Sequence, residues 1–229
     1  MWQAQVFTLY PEVFPGPLSK GLYGKALSKN LWNLKIINIR DAADDKHKTV
    51  DDTPYGGGTG MVMRADVVAN SLDNNLESKE KIYYLSPRGR LLNQEIAKKI
   101  SKEKSLNILC GHFEGVDQRV LDNRNIEEIS IGDYVISGGE TASYIVLDSV
   151  LRLIPGVLGN EASILDESFE NGLLEYPQYT KPQIWQENKV PEVLLSGDHA
   201  KIKHWRLSQS EAITRDRRPD LWQKYNKKN

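Results

Sequence analysis

The residues of this 229-residue chain that could do chemistry are a few carboxylates and the glycines that follow apolar runs. Asp166 and Glu167 stand together before Ser168 and Phe169, in LDESFENGLLEYPQYTKP, a stretch too rich in Gly, Pro and polar residues for a core element. A carboxylate there could act as a general base, taking a proton from a reacting group. Glu114 is another candidate. CGHFEGVD, residues 110 to 117, follows an apolar run, and Gly111 and Gly115 permit tight backbone around it. Cys110 beside His112 suggests a thiol and imidazole pair, but a core thiol and a surface histidine are the expectation. His47, His199 and His204 are scattered, with no metal-ligand spacing.

Three glycine-bearing turns follow apolar runs: YLSPRG at 84 to 89, CGHFEG at 110 to 115, and ISIGDYVISGGE at 129 to 140. Open α/β sheets bind ligands at the carboxyl ends of their strands. Backbone amides and carbonyls at such ends can hold an adenine-like ring without conspicuous polar side chains; three ordinary turns would have the same spacing. PYGGGTGM, residues 54 to 61, is not a phosphate loop, because no Lys followed by Ser or Thr comes after its last glycine. It reads equally as a flexible surface loop or as backbone that must approach a ligand closely.

The elements that must position these residues alternate in type. Strand-like runs lie at 5–9, 34–39, 81–85, 106–110 and 126–131, and helix-like runs at 18–29, 65–76, 93–102 and 140–153. That alternation predicts an α/β fold with a mainly parallel sheet over residues 1–160. Residues 161–197, with Pro177, Pro182 and Pro191, read as an interdomain linker or lid. Residues 198–229 read as a small basic helical domain: Ile202, Trp205 and Gln209 have helical spacing, and Pro219 suits the first turn of a further helix.

The net charge of −1 conceals an asymmetry, since nine Lys or Arg against three acids follow residue 200 and leave the rest of the chain acidic. A basic end carrying Trp205 and Trp222 suits a polyanion, although a solvated helix face gives the same pattern. The single cysteine excludes an intrachain disulfide and points to a reducing compartment. With no basic leader and no apolar run long enough to span a bilayer, a soluble cytoplasmic protein is expected, with no membrane partner.

Taken in order, TVDDTPYGGGTGMVM, YLSPRGRLL, LCGHFEGVDQRV, ISIGDYVISGGE, IPGVLGNEAS, GLLEYPQYTKP, VPEVLLSGDH and KHWRLSQSEAITRDRRPDL resemble the bacterial tRNA (guanine-N1)-methyltransferases of the SPOUT superfamily, over essentially the whole chain. The resemblance implies a trefoil knot in the first domain, an exception to the rule that chains do not thread loops. It implies S-adenosylmethionine as methyl donor and N1 of guanine 37, beside the tRNA anticodon, as acceptor. It also implies a homodimer with active sites at the subunit interface, and leads one to expect magnesium, for which no dedicated ligand cluster is visible.

By the same resemblance the donor would touch Tyr84, Leu85, Ser86 and Pro87, then Gly111, Glu114 and Gly115, then Ile131, Gly132, Asp133, Tyr134, Val135 and Ile136, with Gly138 and Gly139. Arg152 would stabilise negative charge developing at O6, although an arginine at a helix C-terminus also complements the dipole. The family's base is usually an aspartate immediately before Ser-Phe. Here that position is Glu167, with Asp166 one residue upstream, and registration with Ser168 and Phe169 favours Glu167. Competing readings are a SPOUT enzyme acting at another RNA position, an RNA-binding module with a vestigial pocket, and, less well matched, a nucleotide-dependent phosphotransferase.

Overall fold

Each apolar run of the first two thirds becomes a strand in the computed structural model, which describes residues 1–77, 79–159 and 167–227. In chain order the first unit, residues 1–159, contains β1 (Trp2–Thr8), α1 (Gly21–Ser28), β2 (Trp32–Asn38), the short β3 (Asp51–Asp52) and β4 (Val62–Met63), and α2 (Ala65–Asp73). It continues through β5 (Ile82–Leu91), α3 (Gln94–Ser101), β6 (Ser105–Leu109), α4 (Gln118–Asp122), β7 (Ile126–Ser130) and α5 (Gly139–Leu151). Five strands pair in the order β2-β1-β6-β5-β7, and every pairing in that sheet is parallel. The expected α/β class with a mainly parallel sheet is therefore the observed one.

The sheet is covered on both faces, which is why its strands read as continuous apolar runs rather than alternating ones. Neighbouring residues go to opposite cores. Val6, Tyr83 and Ile108 pack with Ala26, Ile100 and Val146 of α1, α3 and α5. Phe7, Tyr84 and Leu109 pack with Val67, Leu72 and Val120 of α2 and α4. Each such large side chain contributes about 1.5–3 kcal/mol by burial. Local signals set the helix ends: the Asn93 side chain accepts from the Ile96 N–H at 2.9 Å, while Ile96, Ala97 and Ile100 face inward and Lys98 and Lys99 lie in the last turn.

Several boundaries shift by a few residues from expectation, and two of the differences have a local cause. The helix expected from Leu18 begins at Gly21, because Gly16–Ser19 forms a 3₁₀ turn closed by the Lys20 N–H on Pro17, and Lys20 itself is extended. The strand expected to end at Leu85 resumes. Leu85 and Arg90 both pair with Ile129, so residues 86–89 leave the ladder as a bulge before pairing continues at Arg90 and Leu91.

The second unit, residues 160–229, carries a two-stranded hairpin, β8 (Ile184–Trp185) with β9 (Asn188–Lys189), then α6 (Glu192–Leu195), α7 (His199–Arg217) and α8 (Pro219–Asn226). Asp198 starts α7 by accepting from the N–H groups of Ala200 and Lys201, both at 3.1 Å, and Pro219 occupies the first turn of α8. Buried Thr214 of α7 donates to the Ser210 carbonyl at 2.6 Å and accepts from the Leu174 N–H at 2.8 Å. That pair of bonds fastens the preceding segment to the helix.

Candidate active site

A cleft of about 420 Å³ opens where β5, β6 and β7 end. The bulge after Leu85 supplies its first wall, Ser86, Pro87 and Arg88, with the Ser86 hydroxyl accepting from the Arg88 N–H at 3.2 Å. The loop after β6 supplies the second, and the loop after β7 the third. These last two are joined by main chain: the Gly139 N–H donates to the Gly111 carbonyl at 3.0 Å, and His112 forms a bridge with Gly138. A Cβ on Gly139 would lie 2.6 Å from the Cys110 Cα, so only glycine allows the two loops to meet this closely.

Every loop residue singled out as donor-binding lines this cleft except Asp133. The lining also includes residues that sequence reasoning passed over, among them Arg88, His112, Phe113 and Gln118. His112 is the main correction. It was expected at the surface, yet its side chain is 12% exposed, its Nε2 lies 2.6 Å from the Glu140 Oε2, and its ring meets that of Tyr10 edge-on at 4.9 Å. The other oxygen of Glu140 accepts the Thr8 hydroxyl at 2.5 Å. Burial pushes the Glu140 carboxyl up, but the bonds from His112 and Thr8 outweigh it and hold the group below its ordinary value, hence ionised in the first turn of α5. Cys110 is the expected core thiol, pushed well above its usual range by burial and by the charge of Glu140.

The glycine cluster at 54–61 connects β3 to β4, and this hairpin pairs with the loop after β6. Met63 donates to the Gly115 carbonyl and Glu114 to that of Met61, both at 2.9 Å. Gly60 has φ +98°, and a Cβ there would sit 2.4 Å from a Glu114 oxygen, whereas Gly56 and Gly57 face open space. Gly60 is therefore pressed against the protein's own Glu114 side chain rather than held open, while the tip at Gly56 and Gly57 is open.

The other candidates lie elsewhere. Arg152 caps the C-terminus of α5, donating its N–H to the Asp148 carbonyl, beside Tyr144 and Asp148. The ten residues of helix from Ala142, the last cleft residue, to Arg152 separate the two by about 15 Å. Glu167 lines a cavity of about 1120 Å³ within the second unit, beside α7. Its loop is closed by the Ser168 hydroxyl, which accepts from the Glu175 N–H at 2.9 Å, and by the Phe169 N–H on the Leu173 carbonyl at 2.8 Å. Asp166 lies outside the described residues. Among the described residues no three His, Cys, Asp or Glu side chains gather as a metal centre, and no helix is long and apolar enough to cross a membrane.

The cleft suits a nucleoside-type ligand that also carries an ammonium group: Leu85, Ile131 and Ile136 offer apolar surface for a ring, the glycine loops offer backbone, and Glu114 offers a carboxylate. Fold and site thus define an α/β protein with a cleft, walled by three loops, at the carboxyl ends of a parallel sheet. Comparison with known proteins is specific. The family model described as tRNA (Guanine-1)-methyltransferase TrmD matches residues 2–224. The chain is 71% identical to a tRNA (guanine-N(1)-)-methyltransferase of Pelagibacter ubique, over 99% of this chain and all of that one. It is 55% identical to the protein so named in Brucella canis, over 98% of this chain and 91% of that one, and 54% identical to that of Bartonella henselae, over 99% and 97%. The chain belongs to the TrmD family of tRNA (guanine-N1)-methyltransferases.

Proposed function

We propose that this protein transfers a methyl group from S-adenosylmethionine to N1 of guanine 37 in tRNA, next to the anticodon, as a cytoplasmic homodimer. The observation that carries the reading is the cleft itself, in which Glu114 and three loops drawn together by glycine meet at the strand ends. The strand order, with β6 inserted between β1 and β5, supports the trefoil-knotted SPOUT topology. Residues 1–159 would hold the donor, and the basic helical end of the chain would bind tRNA.

When bound, S-adenosylmethionine supplies an electrophilic methyl group on a sulfonium. Guanine N1 bears a proton that must leave as the new bond forms, and Glu167 is the group we assign to take it. Arg152 is assigned to the charge that builds at O6, where a cation stabilises the transition state more than the ground state. Because Arg152 and the cleft lie at opposite ends of α5, this role fits a site completed by a second subunit, in which one protomer's cleft meets the other's Arg152.

Single-turnover methylation of an anticodon stem-loop carrying guanines 36 and 37 tests the assignment. Glu167→Gln should lower the chemical rate by at least about 10²-fold, in line with loss of a general base, while donor affinity stays at the wild-type value. Asp166→Asn should have a smaller effect. Full activity in Glu167→Gln would overturn the assignment.

A further inference from the structure

The cavity beside α7 contains an arginine whose Nε has no hydrogen-bond partner among the described residues. His199, Lys203, Arg206 and Ser210 follow one another at spacings of four, three and four residues, which puts them on one side of the helix, and all four line the cavity. Across from them stands Tyr176, with the Arg206 guanidinium carbon 4.7 Å from the centre of its ring. The unpartnered Arg206 Nε is buried. An unsatisfied buried donor is costly, and more so when charged.

Other arginines of the chain are not built this way. Arg64, Arg119 and Arg218 are each held by the aspartate two residues away, and Arg124 by Asp73, with both Nε and Nη2 engaged. Such pairs fill the guanidinium fork. Among the described residues no carboxylate forms an ion pair with Arg206, and Glu167 is the one acid in the cavity lining, against Lys203, Arg206 and two histidines. Stacking on Tyr176 fixes the plane of the guanidinium and leaves an edge for an acceptor that offers two oxygens. A phosphate group presents that geometry.

We propose that this cavity receives a phosphodiester of the substrate RNA, bound by the Arg206 fork with Lys203 beside it. The inference rests on the reading of the chain as a tRNA methyltransferase and adds a specific phosphate site to it. Since Glu167 lines the same cavity, a phosphate held here would fix the RNA backbone close to the carboxylate assigned as base.

Binding of a fluorescent anticodon stem-loop to the full-length protein, followed by anisotropy across a potassium chloride series, tests this. Arg206→Ala should weaken binding about tenfold or more at low salt and flatten the plot of log affinity against log salt by about 0.7–0.9, the increment for one phosphate contact. Arg206→Lys keeps the charge without the fork, so it should keep the slope and lose several-fold in affinity. Titration of S-adenosylmethionine into both variants should match wild type, which shows that they fold. Should Arg206→Ala fail that control, Arg206→Lys decides alone, its affinity falling if the site is real. Wild-type affinity and slope in the variants would overturn the phosphate site. Wild-type protein that binds the donor yet methylates no stem-loop would instead overturn the reading of function.

Discussion

In the cleft at residues 84–142 the lining comes from three loops that follow strands, with Arg88 and Glu114 as its charged residues. In the cavity at residues 167–225 it comes largely from one helix, which carries His199, Lys203, His204 and Arg206. The first is held by backbone bonds between loops far apart in sequence, such as Gly139 to Gly111 and Met63 to Gly115. The second takes its order from local devices, an Asp198 cap and the Ser168 and Thr214 hydroxyls. A small, invariant donor suits a rigid mould. A large polyanion suits long cationic side chains on one helix face, whose contacts are worth less each and depend on salt.

The largest effect that can break this contrast is expected at Gly139. Gly139→Ala places a methyl 2.6 Å from the Cys110 Cα, a backbone atom just past the end of β6 whose N–H is bonded to the Phe7 carbonyl of β1, so it yields little. Overpacking of this kind costs about 1–3 kcal/mol in stability, and because it pries apart two walls of the cleft, donor affinity should fall by about 10²-fold. Calorimetric titration with S-adenosylmethionine reads it directly. Near-normal donor binding would mean that the cleft is not a rigid mould.

Much of the first unit was legible in the sequence because its determinants are local. Apolar runs made strands, Asn93 marked a helix start, and the three strand-end turns do converge on one cleft. What escaped was set by contacts distant along the chain. Nothing near His112 announces Glu140, still less Thr8, so the histidine read as a surface residue. The bulge at 86–89 was hidden because the strand resumes in register with the same partner residue, Ile129. The β8–β9 hairpin turns through Gln186 and Glu187, both at positive φ, where the usual Asn-Gly signal is missing. For the second unit the basic helical pattern was visible, whereas the stacking of Arg206 on Tyr176 joins residues thirty apart and had no local sign.

A smaller effect is expected at Glu140, and it sharpens the contrast through pH. Its folded carboxyl lies below the ordinary glutamate value of 4.5, because bonds from His112 and Thr8 outweigh burial. Stability from this group is therefore complete above pH about 4.5 and is lost as pH falls through the lower folded value. Glu140→Gln should lower the melting temperature near neutrality, and the gap to wild type should narrow as the pH drops below that point. Donor affinity should weaken several-fold, since loops 110–115 and 137–139 share this anchor. A melting-temperature gap independent of pH would show that the ionised pair does not hold the cleft.

The smallest effect belongs to the second unit. Ser168→Ala removes the acceptor for the Glu175 N–H at 2.9 Å, worth about 0.5–1.5 kcal/mol. Since the Phe169 to Leu173 bond also closes that loop, Glu167 should be displaced only part of the time. The expected outcome is a few-fold lower single-turnover rate with donor affinity unchanged. The two units would then be separable, one setting how tightly the donor is held and the other how well the proton is taken. An equal fall in donor affinity and rate would break that division, because it would mean that the Ser168 loop also shapes the cleft.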